Sequence, residues 1–238
     1  EWNGSAWVAI DSAIPSTSSS YQLSSVSGGA HRYCIRSVNG AGVTSTESNA
    51  ADVTVDNTAP ATTLAVDPTT ADGANGWYDS VPTITLTADD AAAVTWYRWG
   101  ANAPVEYDAP FSPPQGSNTL SYWSVDVIGN TETPAKTAAF KIDTVAPAAP
   151  TGLTALDTQQ TSIDIGWNAV TDDADGGADS SGIATYRVYV DGAPFGETVG
   201  TSLLINGLTQ NTSYSISVRA TDAAGTAGAA ATQSFRTT

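Results

Sequence analysis

The sequence predicts an all-β fold, built as a rod of tandem β-sandwich modules. Three observations predict it. Apolar residues alternate with period two along short runs, and no stretch shows helical periodicity. Gly, Pro, Asn and Asp interrupt these runs every ten residues or so, the spacing of strands in a sandwich. A strand followed by a tight turn occurs three times, as HRYCIRSVNGAG (His31 to Gly42), LSYWSVDVIGN (Leu120 to Asn130) and YSISVRATDAAG (Tyr214 to Gly225). After the first copy come Asp56 and Pro60; after the second come Asp143 and Pro147, each 87 positions later. A fixed period of this length is the mark of repeated modules.

Taken in order, the first module (residues 1–58) offers only the back half of a sandwich. WNGSAWVAI supplies the end of a third strand and the piece after it; YQLSSV, HRYCIRSV and AADVTVD follow. One period before Pro60 falls upstream of Glu1, so the front strands are expected to be missing. Such a module has an open groove with unpaired ladder groups.

The second module (59–147) opens with ATTLAVDP. A second strand is expected through Val81, Ile84 and Leu86, and an aromatic third in VTWYRWG. VEYDAPF is a short edge piece, LSYWSVDVIGN the long strand and AAFKID the last. On the GANGWY, VDVIGN and Asp143-to-Pro147 elements this module resembles the bacterial Ig-like repeats of secreted surface proteins and of secreted carbohydrate-active enzymes.

The third module (148–238) is stiffened at its start by Pro147 and Pro150, and Leu153 begins a strand. Ile163, Ile165 and Trp167 share one face. Tyr186, Val188 and Val190 share another, ending in an Asp191-Gly192 turn. Leu208 precedes a strand that points Tyr214, Ile216, Val218 and Ala220 to one side. With its second-strand Trp and its Leu-to-Tyr corner, the module resembles a fibronectin type III domain. The resemblances imply tandem immunoglobulin-like and fibronectin type III-like sandwiches.

Charge narrows the partners. Asp and Glu outnumber Lys and Arg 24 to 8, for a net charge of −16. Nucleic acid and anionic membrane both require basic clusters that this surface lacks. No apolar run is long enough for a membrane span, and no signal peptide is read. With no Met, the chain is expected to be a mature product or an excerpt, and the single cysteine, Cys34, allows no intrachain disulfide. Asn3 and Asn211 begin N-x-S/T sequons, at a frequency that chance supplies.

Catalysis is not expected. His31 is the only histidine and occupies the inward position that Tyr214 holds in the third copy, while Cys34 falls outward without a partner motif. The acids cluster in turns rather than as a facing catalytic pair. Two cation sites suggest themselves. The acidic loop VTDDADGGADSSG carries Asp172, Asp173, Asp175 and Asp179, hard oxygen ligands suited to calcium, though equally suited to a solvated loop. The linkers place Asp56 and Asp143 near the turn residues Asn39 and Asp126, where calcium would stiffen a rod or where Asp simply caps a strand end. The aromatic second module suggests a third site, a sugar-stacking or subunit surface at Trp123 with Trp96 or Trp99.

These readings give a non-catalytic structural or adhesive segment of an extracellular or cell-surface protein. It would be a filament or surface-layer subunit whose incomplete first module takes a strand from another chain, or an excerpt whose missing strands lie upstream. The alternative is an accessory or carbohydrate-binding region of a secreted polysaccharide-degrading enzyme. Expected partners are proteins, copies of the chain itself, or glycans.

Overall fold

The computed structural model describes residues 1–10, 14–15, 17–172 and 180–238. Among these residues there is no α-helix, only a 3-10 turn at Ala74–Gly76, and no helix long and apolar enough to cross a membrane. All-β architecture follows from the alternation, because a period of two puts one face of each run on a core.

The first segment contributes two antiparallel strands, β1 (Gly29–Tyr33) and β2 (Ala51–Val55), in register from Gly29 opposite Val55 to Tyr33 opposite Ala51. No described residue of 1–58 is buried, and Ile35, Val38 and Val43 are each more than 60% exposed. His31 is held in place by both ring nitrogens, Nδ1 against the Glu1 carboxylate and Nε2 2.7 Å from the Ser27 carbonyl. It serves there as a tie between segments.

The second sandwich pairs β3 (Thr62–Asp67) with β4 (Thr83–Ala88). Facing them are β5 (Val94–Trp99), β6 (Val105–Glu106), β7 (Gly116–Val125) and β8 (Lys136–Ile142), in the order β6-β5-β7-β8. Ile84, Leu86, Leu120, Tyr122, Phe140 and Ile142 meet between the sheets. Burying each aliphatic side chain of this kind contributes about 1.5–3 kcal/mol. Val81, expected within the same strand as Ile84, lies ahead of it and is 50% exposed.

One polar group closes this core. Glu132, 8% exposed, accepts from the Thr62 N–H (3.2 and 3.1 Å), the Thr62 hydroxyl (2.6 Å) and Lys136 Nζ (2.8 Å). Burial pushes its pKa up, but the Lys136 and Thr62 donors outweigh burial and hold it below the usual carboxylate range.

Among the described residues the third sandwich has seven strands: β9 (Thr154–Thr158), β10 (Ser162–Gly166), β11 (Ile183–Val190), β12 (Ala193–Thr198), β13 (Ser202–Asn206), β14 (Ser213–Asp222) and β15 (Ala231–Arg236). They form sheets β13-β10-β9 and β12-β11-β14-β15. Ile163, Ile165 and Ile205 from the first sheet pack on Val188, Ile216 and Val218 from the second. Trp167 meets Tyr186 edge-on at 5.4 Å. The Tyr186 hydroxyl accepts from Val170 N–H at 2.9 Å, and that of Tyr214 from Thr209 N–H at 2.7 Å, which fixes the loops leading into the sheets.

Candidate metal centre

The strand-to-turn pattern that recurs in the sequence folds the same way at each occurrence. Asn39, Asp126 and Asp222 each accept, through the backbone carbonyl, from the N–H of a glycine three residues on (Gly42, Gly129, Gly225). Each also accepts, through a side-chain oxygen, from the N–H four residues on (Val43, Asn130, Thr226; 2.7–3.0 Å). This is the local side-chain-to-backbone bond that makes Asp and Asn favoured turn residues.

What meets the turn differs from place to place. Asp143 follows β8, its N–H donating to the Tyr78 carbonyl at 2.9 Å, and it points toward the third sandwich rather than toward the Asp126 turn of its own sandwich, as the linker reading expected. There its carboxylate joins Asp172, from the β10–β11 loop, and Asp222, the last residue of β14. One oxygen from each lies within 4.8 Å of the other two. All three residues are at most 4% exposed. Backbone donors anchor one side of each carboxylate: Ser181 N–H to Asp143 Oδ2 (2.7 Å), Gly182 N–H to Asp172 Oδ2 (2.7 Å) and Thr226 N–H to Asp222 Oδ1 (2.7 Å). Asp172 Oδ1 and Asp222 Oδ2 are buried with no hydrogen-bond partner among the described residues. Among the described residues none forms a salt bridge with the three acids.

Three ionised carboxylates this close repel by about 3–4 kcal/mol per pair at an effective dielectric of 20. Burial, and then the Asp143 charge, raises the pKa of Asp172 to about 6. Burial likewise raises that of Asp222, with the Asp143 charge adding to it. The cluster therefore requires protons or a cation. Hard, anchored oxygens without a His or Cys suit an oxygen-loving divalent ion.

The turn between the first two segments has the opposite solution. Asp126 Oδ2 accepts from Asn130 Nδ2 at 2.7 Å, and that same amide donates to the Asp56 carbonyl at 3.0 Å. Burial opposes ionisation at Asp126, yet the Asn130 and turn donors outweigh it and lower its pKa. At the next junction position 226 is Thr, whose side chain makes no such bond to Asp222, and the amide is absent.

Of the loop acids read as calcium ligands, Asp172 is in the cluster, whereas Asp173, Asp175 and Asp179 lie outside the described residues. Asp222 was not expected as a ligand. Its signal in the sequence was its alignment with Asp126 combined with the loss of the Asn four residues later. The aromatic surface also needs correction. Trp96 and Trp123 are direct cross-strand partners on the outer face of the β5–β7 pair, with the Arg98 guanidinium 5.9 Å from the Trp123 ring. Trp99 has the inward parity of Tyr97, is partly buried and packs edge-on to Phe111 (6.2 Å) and Phe140 (5.8 Å), so its ring lies against the core rather than beside Trp123 on the outer face.

The two sandwiches also touch through backbone. Ala74 N–H donates to the Ala224 carbonyl (2.5 Å), and Asn75 Nδ2 to the Ala223 carbonyl (2.9 Å). Gly73 and Gly228 sit at this contact and leave no room for a side chain. A Cβ on Gly73 would be 2.8 Å from the Ala224 oxygen, and one on Gly228 2.2 Å from the Pro147 oxygen.

The fold and junction define a class: β-sandwich modules joined end to end. Residues 148–235 match the fibronectin type III domain family, which identifies the third module. Chitinase Chi52 of Paenibacillus xylanexedens is 29% identical over 184 residues, 66% of this chain and 32% of that protein. Exoglucanase B of Cellulomonas fimi is 32% identical over 230 residues, 84% of this chain and 19% of that protein. Chitinase C of Streptomyces lividans is 41% identical over 85 residues, 36% of this chain and 13% of that protein. The chain thus spans about a third or less of the length of each of these relatives.

Proposed function

We propose that this chain is a non-catalytic accessory segment of a secreted polysaccharide-degrading enzyme, acting as a semi-rigid spacer beside a catalytic domain. The observation that carries this reading is the direct junction between the second and third sandwiches. A backbone hydrogen bond, a side-chain amide bond from Asn75 and two glycines with no room for a Cβ fix one module against the next, which a spacer needs and a flexible tether lacks. The relatives support it: they are chitinases and an exoglucanase, and the matched region is a minor part of each. They favour this reading over the filament, surface-layer or adhesive role with strand exchange expected from the sequence of the first module.

Sedimentation velocity and small-angle scattering test the proposal. A monomer at all concentrations, with a fixed separation between the second and third modules, is the expected result. Concentration-dependent polymers would restore the filament reading, and a broad distribution of separations would refute the spacer.

A second reading, direct contact with polysaccharide, is favoured by the Trp96–Trp123 pair on an outer sheet face, since flat aromatic surfaces stack on sugar rings. Its test is retention of the chain on chitin or cellulose. Retention lost in Trp123→Ala supports sugar contact. No retention leaves the segment a spacer alone.

A further inference from the structure

The geometry points to a single calcium-binding site at the junction, formed by Asp143 of the second sandwich with Asp172 and Asp222 of the third. This goes beyond the spacer reading and does not depend on it, because the site would hold its ion whatever the neighbouring domain does.

Four observations converge. The three carboxylates present oxygens within 4.8 Å of one another, the span across a calcium ion with Ca–O distances of about 2.4 Å. Among the described residues two oxygens, Asp172 Oδ1 and Asp222 Oδ2, are buried without a hydrogen-bond partner, although nearly every buried polar atom in a folded protein finds one. Each carboxylate is anchored by a backbone N–H, so the set is preorganised. Ser181 braces the arrangement: its N–H donates to Asp143, its hydroxyl to Asp172 (3.4 Å), and it accepts from Ala224 N–H (3.0 Å). The matching turn at Asp126 provides the internal control. There an asparagine amide fills the place of the ion, and no carboxylate oxygen of that turn is orphaned.

Ligand chemistry selects among ions. Zinc prefers His and Cys, but the only histidine and the only cysteine, His31 and Cys34, are in the first segment. Magnesium prefers a small octahedral shell that keeps most of its water. Calcium accepts three carboxylates and completes six to eight ligands with carbonyls and water. Because Asp143 comes from one sandwich and the other two acids from the next, the bound ion holds the two modules together.

The test uses the 238-residue chain, stripped with chelator, desalted, and titrated calorimetrically with CaCl2, MgCl2 and ZnCl2, with thermal unfolding measured alongside. One calcium per chain is expected, bound at least tenfold more tightly than magnesium. At calcium a hundredfold above Kd, the folded-to-unfolded ratio rises about 100-fold. Asp222→Asn is expected to abolish binding while leaving the chelated protein as stable as wild type or more so, since it removes one of three repelling charges. Thr226→Asn, which supplies the amide that Asn130 supplies at the other turn, is expected to weaken calcium binding at least tenfold without loss of fold, and is read in place of Asp222→Asn if that variant does not fold. No calcium heat and no shift in unfolding for wild type would overturn the inference. So would an undiminished response in both variants, or equal affinity for all three ions. A spacer that fails the scattering test but binds one calcium refutes the spacer reading alone.

Discussion

Gly228→Ala probes the junction with one methyl group. The added Cβ would lie 2.2 Å from the Pro147 carbonyl oxygen and 3.0 Å from its carbon, contacts that real Cβ atoms do not make. Neither partner can rotate out of the way: Pro147 is a buried ring, and Gly228 N–H is bonded to the Ala220 carbonyl at 2.9 Å. The linker must therefore shift by on the order of 1 Å, at the cost of overpacking, about 1–3 kcal/mol. For a domain near 90 residues each kcal/mol lowers Tm by about 4–8 °C, so the third module should lose roughly 5–20 °C in differential scanning calorimetry. Scattering should show a changed separation of the second and third modules. Gly40→Ala is the matched control: a Cβ there meets nothing within 4 Å, and Tm should not move. If Gly228→Ala leaves both Tm and the module separation as in wild type, the argument for a close-packed junction is wrong.

Other expectations concern the sandwiches themselves. Glu132→Ala leaves the buried Thr62 N–H without its acceptor and Lys136 without its ion pair, and should cost about 2–3 kcal/mol in urea unfolding of the second module. The pKa of Glu132 is lower folded than unfolded, so its contribution is present above the unfolded value near 4.5 and is lost as pH falls through the folded value. Acid titration of wild type should therefore show a loss of second-module stability below about pH 4.5 that Glu132→Gln lacks. Trp99→Ala, which empties a core position, should cost about 3 kcal/mol, and Trp96→Ala on the outer face no more than about 1, as read by chemical denaturation. Tyr214→Phe removes the acceptor for Thr209 N–H and should cost about 1 kcal/mol in the third module.

The fold was legible because alternation is a local signal: Ile163, Ile165, Tyr186, Val188, Ile216 and Val218 could be assigned to an interior from their own neighbours, and all are buried. The face of an aromatic strand was less so. In VTWYRWG either parity is apolar, and only the pairing of Trp99 with Leu120 puts it inside and Trp96, opposite Trp123, outside. The cluster of three acids was the least legible. Asp143 and Asp172 were each singled out, but in separate readings, one in a linker and one in a loop. Their meeting with Asp222 depends on how one sandwich is set on the next, a contact between residues far apart in the chain that no local alternation reports.

The repeated turn has a consequence for how such chains are built. Asn39, Asp126 and Asp222 present the same hydrogen-bonding socket, and at the two later turns the arriving linker carries an Asp at the same position in the period. The same socket meets the preceding linker at both seams, through the Asp56 carbonyl at one and the Asp143 carboxylate at the other. One residue, Asn at 130 or Thr at 226, separates a seam latched by an amide from one whose turn carboxylate keeps an oxygen without a partner among the described residues.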